Sequence, residues 1–78
     1  MVKGITILGS TGSIGRQTAQ AASRLGIPVL AIAAARNVEL LERQARELRP
    51  RFVAVYDEKA ADELRRRLYE LYIEIGHG

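Results

Sequence analysis

Seventy-eight residues carrying 12 basic and 9 acidic side chains, net charge +3, are enough for one small domain and no more. The chain has no cysteine and a single histidine, His77 in the glycine-flanked tail, which excludes disulfide staples, thiolate metal centres and His-based catalytic constellations. The mild basicity suits a phosphorylated ligand, no apolar run reaches membrane-spanning length, and no secretory pattern opens the chain, so a cytoplasmic protein is expected.

The first expected element is a strand over about 2–8, ending in the apolar run Ile5-Thr6-Ile7-Leu8. The turn Gly9-Ser10-Thr11-Gly12-Ser13-Ile14-Gly15 follows and opens a helix over 13–25. Ile14, Ala21, Ala22 and Leu25 recur at helical spacing as its apolar side. Gly26 stands where a left-handed C-terminal residue is wanted. The run Val29-Leu30-Ala31-Ile32-Ala33, started by Pro28, reads as a strand covered on both faces. Its rival, a buried helix, is disfavoured by the shortness of the run and by its Gly26-Ile27-Pro28 boundary.

Asn37 is a suitable N-cap for a second helix over 38–48, with Val38, Leu41, Ala45 and Leu48 on one face. Glu39–Arg43 and Glu42–Arg46 are i,i+4 pairs in the favourable orientation, worth about 0.2–0.5 kcal/mol each. Pro50 ends that helix, and Phe52-Val53-Ala54-Val55-Tyr56 reads as a third strand. Asp57 caps a third helix whose apolar face is Ala60, Ala61, Leu64, Leu68 and Leu71, with Asp62–Arg66 and Glu63–Arg67 pairing outside. Alternation over Leu71-Tyr72-Ile73-Glu74-Ile75 indicates a short edge strand. The sum is an α/β fold: a Rossmann-like β-α-β-α-β-α-β half-domain over 1–78, a mostly parallel sheet with helices on its faces. Right-handed crossovers place strand two beside strands one and three.

Chemistry concentrates in two places. Strand, glycine turn and helix N-terminus make a phosphate cradle, because the unpaired N–H groups of the first helical turn and the positive end of the helix dipole face an anion. Gly9 provides the sharp turn, Gly12 the close approach to a diphosphate, and Gly15 close packing of helix on sheet. The hydroxyls of Thr11 and Ser13 can bond phosphate or cap the helix. The spacing is G-x-x-G-x-x-G, weak as a bare pattern, since a purely structural turn looks alike; the strand before and helix after strengthen it.

The second place is the end of strand two, Ala34-Ala35-Arg36-Asn37, where dinucleotide folds read the adenosine ribose. No acid stands there to bond a 2′-hydroxyl, whereas Arg36 can grip a 2′-phosphate, so NADP is favoured over NAD. The plain alternatives are an exposed strand-end arginine and, for Asn37, a helix cap. Arg65-Arg66-Arg67 is read as a solvated helix face rather than a nucleic-acid contact, for want of interleaved aromatic residues. Tyr56, Tyr69 and Tyr72 are read as half-buried packing residues, and the acids show no convergent metal spacing.

Ile5-Thr6-Ile7-Leu8-Gly9-Ser10-Thr11-Gly12-Ser13-Ile14-Gly15 resembles the opening of the 1-deoxy-D-xylulose 5-phosphate reductoisomerase family. Ala34-Ala35-Arg36-Asn37-Val38 is similar to that family's Ala-Gly-Lys/Arg-Asn-Val segment, and Arg49-Pro50-Arg51-Phe52-Val53-Ala54-Val55 to its third strand. The resemblance implies an NADPH-dependent enzyme of non-mevalonate isoprenoid synthesis that also uses Mg²⁺ or Mn²⁺. It implies cofactor contacts at Gly9, Thr11, Gly12, Ser13 and Ile14 for the diphosphate and at Arg36 and Asn37 for the adenosine end. Ala35 departs from the family glycine. The family's metal ligands and substrate site lie beyond the matched region, so the expectation is a truncated half-domain, isolated or engineered, without catalytic or metal residues and inactive alone. Strand one then shows a bare apolar edge, and a homo-oligomer that hides it is expected, with no nucleic-acid or membrane partner. The competing reading is a folding and assembly scaffold that has lost ligand binding.

Overall fold

The computed structural model describes residues 4–77. They form β1 (Ile5–Leu8), α1 (Ser13–Leu25), β2 (Val29–Ala34), α2 (Val38–Leu48), β3 (Phe52–Val55), α3 (Glu58–Arg67) and β4 (Glu74–His77). The expected start of strand one at Val2 lies outside the described residues. The sheet order is β1-β2-β3-β4, and all three pairings are parallel.

Each strand steps the same way across the sheet. Right-handed crossovers therefore put all three helices on one face, where α1 packs on α2 and α2 on α3. Sheet residues alternate between this covered face and an open one. The row Ile7–Ile32–Val53–Ile75 points to the helices, whereas Thr6–Ala31–Phe52–Glu74 and Leu8–Ala33–Ala54–Gly76 point away. β2 is thus covered by helices on one face, not both as its continuous apolar run suggested. Leu8 on the open face is 74% exposed. The ladder slips by one residue between Ile5 and Thr6, where β2 carries the extra Leu30.

The core between sheet and helices holds Ile32, Val53, Val55, Leu41, Leu64 and Leu68, all essentially solvent-free. Each buried leucine contributes about 1.5–3 kcal/mol relative to exposure. Helix α1 has the expected bounds but a different inner face: Gly15, Ala19 and Ala22 are buried, while Ile14 and Leu25 are exposed. Close approach at Gly15 decides the rotation and turns Ile14 outward.

Helix α2 has its expected bounds and cap, the Leu40 N–H donating to Asn37 Oδ1 at 3.2 Å. Asp57 caps α3 through the Ala60 N–H at 2.9 Å. The third helix stops at Arg67, so Leu71 belongs to the following turn, and the last strand starts at Glu74 rather than Leu71. Tyr56, Tyr69 and Tyr72 are exposed, not packed.

Charge pairing ties α2 to α3. Glu42–Arg46 and Glu63–Arg67 form as expected, at 3.1 and 2.6 Å, but Asp62 meets Arg65 instead of Arg66. Arg67 also reaches Glu42 at 3.1 Å, and Arg46 reaches Glu70 at 3.0 Å. Hydrogen bonds from Arg67 and then Arg46 hold the Glu42 carboxyl below its ordinary 4.5.

Candidate functional site

In a parallel sheet the carboxyl ends of the strands lie together, and both sequence-predicted clusters follow such ends. Gly9–Ile14 leaves β1, and Arg36 and Asn37 leave β2. Gly9 takes φ +65°, a left-handed turn that a side chain would strain, and its carbonyl accepts the Gly12 N–H at 3.0 Å. The Ser10 N–H donates to the Ala33 carbonyl at 2.9 Å, which fastens the turn to the end of β2.

Gly15 has a different neighbour from the one expected. A Cβ there would overlap the Gly9 carbonyl oxygen and come to 2.7 Å from Ser10 Cα. It lets the helix approach the turn, rather than the sheet. At Gly12 the same test gives 3.4 Å to the Gly9 oxygen, ordinary contact, so this glycine's bareness leaves space on the outer side.

No side chain caps the start of α1: Thr11 and Ser13 leave that position alone. The first intrahelical bond at this end is Arg16 N–H to the Gly12 carbonyl, 2.8 Å. The N–H groups of Ser13, Ile14 and Gly15 precede it and carry the positive end of the dipole. They face an open groove of about 460 Å³ between β1 and α1, lined by Thr6, Leu8, Gly9, Gly12, Ser13 and Thr18 among others. Ser13 and Ile14 are exposed and Thr11 is half-buried. Among the described residues no charged side chain lines the groove, and backbone N–H groups supply positive potential there.

A second, shallower cleft of about 290 Å³ is formed by Ala35, Arg36, Tyr56 and Asp57. The Tyr56 N–H donates to the Ala34 carbonyl at 3.1 Å and the Asp57 N–H to the Ala35 carbonyl at 3.0 Å. These bonds continue the β2–β3 pairing past the strands and bring Arg36 beside the phenol. Among the described residues Arg36 takes part in no ion pair. Asn37 is exposed, with its side-chain oxygen engaged as the α2 cap. The sequence reading missed Tyr56, an aromatic surface 60% exposed beside the arginine.

It also missed Gln44. This side chain is 7% exposed, and its Nε2 donates to the Ser10 carbonyl at 2.7 Å, from α2 to the glycine turn. A signal was available: Gln44 is a polar residue set inside the apolar stripe Leu41, Ala45 and Leu48. Among the described residues no three His, Asp or Glu side chains gather as metal ligands, and no helix is long and apolar enough to cross a membrane.

The arrangement matches known proteins over nearly its whole length. A family model described as 1-deoxy-D-xylulose 5-phosphate reductoisomerase matches residues 5–78. The Agathobacter rectalis protein of that name is 49% identical over 78 residues, 99% of this chain and 20% of its own length. Its Acetivibrio thermocellus counterpart is 57% identical over 68 residues, 87% of this chain and 18% of that protein. Among solved structures, the Zymomonas mobilis reductoisomerase in complex with NADPH superposes with a TM-score of 0.90 at 29% identity, covering 100% of this chain and 21% of that one. The chain spans about a fifth of the length of the curated relatives it matches.

Proposed function

We propose that this chain, which belongs to the 1-deoxy-D-xylulose 5-phosphate reductoisomerase family, holds the diphosphate and adenosine parts of NADPH. The observation that carries this reading is the pairing of two features at the carboxyl end of the sheet: a helix N-terminus behind the Gly9 turn without a side-chain cap, and Arg36 at the neighbouring strand end without an ion pair among the described residues. The N–H groups of Ser13 and Ile14 would serve the diphosphate, with the Thr11 and Ser13 hydroxyls beside them and Gly9 and Gly12 leaving room. Arg36 would take the 2′-phosphate, and Asn37 would keep the loop in place by capping α2. The bound cofactor supplies a hydride, and the residues here bind and orient it. Reductoisomerisation of 1-deoxy-D-xylulose 5-phosphate is the activity we associate with the relatives' full length. The 78 residues alone, a single half-domain, are expected to bind nucleotide without turnover. The same reading places the chain in the cytoplasm and pairs it with a second copy of itself through the free edge of β1.

Titration with NADPH and NADH, followed by amide chemical shifts, tests the cofactor reading. Shifts should centre on 9–15 and 36, and be larger for NADPH. Arg36→Glu replaces a charge-assisted bond with repulsion and should weaken NADPH roughly tenfold or more, with little change for NADH. Absence of shifts at millimolar nucleotide, or equal weakening of both cofactors, would overturn the assignment.

A further inference from the structure

We infer that Gln44 is a positioning residue for the cofactor turn, acting through the Ser10 carbonyl; the inference rests on the cofactor reading above. Ser10 is fully buried and held from two sides. Its N–H donates to Ala33 at the end of β2, and its carbonyl accepts from Gln44 Nε2 on α2, 34 residues away in sequence. A trans peptide is planar and sends its C=O and the following N–H in opposite directions. Fixing the Ser10 carbonyl toward α2 therefore fixes the Thr11 N–H away from α2. The peptide plane that joins Ser10 to Thr11, inside the turn that leads into the Ser13 and Ile14 N–H groups, is thus set by a side chain on another helix.

The contact is a poor device for stability. Among the described residues Ser10 Oγ and Gln44 Oε1 are both buried without partners, so two unmet polar atoms offset the one bond that is made. An apolar side chain of similar volume at position 44 removes the unmet Oε1 but leaves the buried Ser10 carbonyl without its donor, so the number of unmet atoms is unchanged and one bond is lost, a moderate cost to folding. What the bond supplies is the direction of a peptide plane.

The test uses the whole chain, wild type and Gln44→Met, with three probes: NADPH, inorganic pyrophosphate and adenosine 2′-monophosphate. Pyrophosphate reports the turn, and the 2′-monophosphate reports the Arg36 cleft. The variant should remain folded, with its melting temperature lowered by roughly ten degrees or less. It should bind NADPH and pyrophosphate about tenfold more weakly, while adenosine 2′-monophosphate binds as before. Unchanged pyrophosphate and NADPH affinities would overturn the role of Gln44 and leave the cofactor reading standing. A variant that unfolds, or that weakens all three probes alike, would make Gln44 a structural residue and also overturn the inference. Failure of the wild type to bind NADPH or pyrophosphate would overturn the cofactor reading and the inference with it.

Discussion

Gly15 shows how a residue's task depends on what lies opposite it. The missing side chain makes room for the Gly9 carbonyl, the same carbonyl that accepts from Gly12. Gly15→Ala must therefore push the turn outward or rotate α1. The cost expected for overpacking is about 1–3 kcal/mol in urea unfolding, with loss of NADPH-induced shifts at 9–15. Gly12→Ala meets only ordinary contact inside the protein and should lose nucleotide binding with less effect on stability. Wild-type stability in Gly15→Ala would mean that the turn yields easily. At this scale the sequence was informative where chemistry is local: a left-handed glycine, and an Asn or Asp cap. The place of Gln44 in an apolar stripe was visible, but its partner was not, being a backbone atom 34 residues away. Tyr56 was opaque because burial of an aromatic residue depends on which elements cover it.

Elements were legible where their ends carry chemical signals. Gly26 and Asn37 bracket the two helices whose bounds agree with expectation, and Asp57 marks the start of the third. The end of α3 was not legible, because Leu71 keeps helical spacing one turn past Leu68 although the chain has already turned. The rotation of α1 was hidden for a related reason: small residues, not large ones, face a close neighbour. Between α2 and α3 the ion-pair network predicts an acid response. Glu42 is held below 4.5 by its bonds to Arg67 and Arg46, and Glu70 is lowered by its own backbone N–H and by Arg46. A carboxyl whose folded pKa is depressed contributes stability above its unfolded value, and that contribution is lost as pH falls through the folded value. The melting temperature should therefore drop as pH falls below about 4.5, and less steeply in Glu42→Gln. Both carboxylates are solvent-facing, so high salt should blunt the difference between variant and wild type. Parallel acid curves for the two proteins would show that the network does not contribute.

At the scale of the molecule the topology leaves two surfaces without cover. Among the described residues β1 pairs only with β2, so its other edge presents unpaired backbone groups, and the face carrying Leu8, Ala54 and Phe52 has no helix on it. A domain of this size buries only about 60% of its unfolded surface, so uncovered apolar area weighs heavily on its stability. A second copy paired edge to edge would meet the first of these needs. Two β1 edges related by a two-fold axis would run antiparallel and continue the sheet from one chain into the other, with the exposed Leu8 side chains near the junction. Light scattering at high micromolar concentration should then give twice the mass of one chain, with β1 amides slow to exchange. Thr6→Lys and Leu8→Lys put charges on the open face beside that edge and should shift the population to monomer, speeding β1 exchange. A wild-type monomer at that concentration would remove the second copy from the account and leave the edge for a different segment of polypeptide. The two surfaces adjoin, because Thr6 and Leu8 line the groove beside the glycine turn as well as the free edge, so the lysine variants should alter nucleotide binding as well as mass.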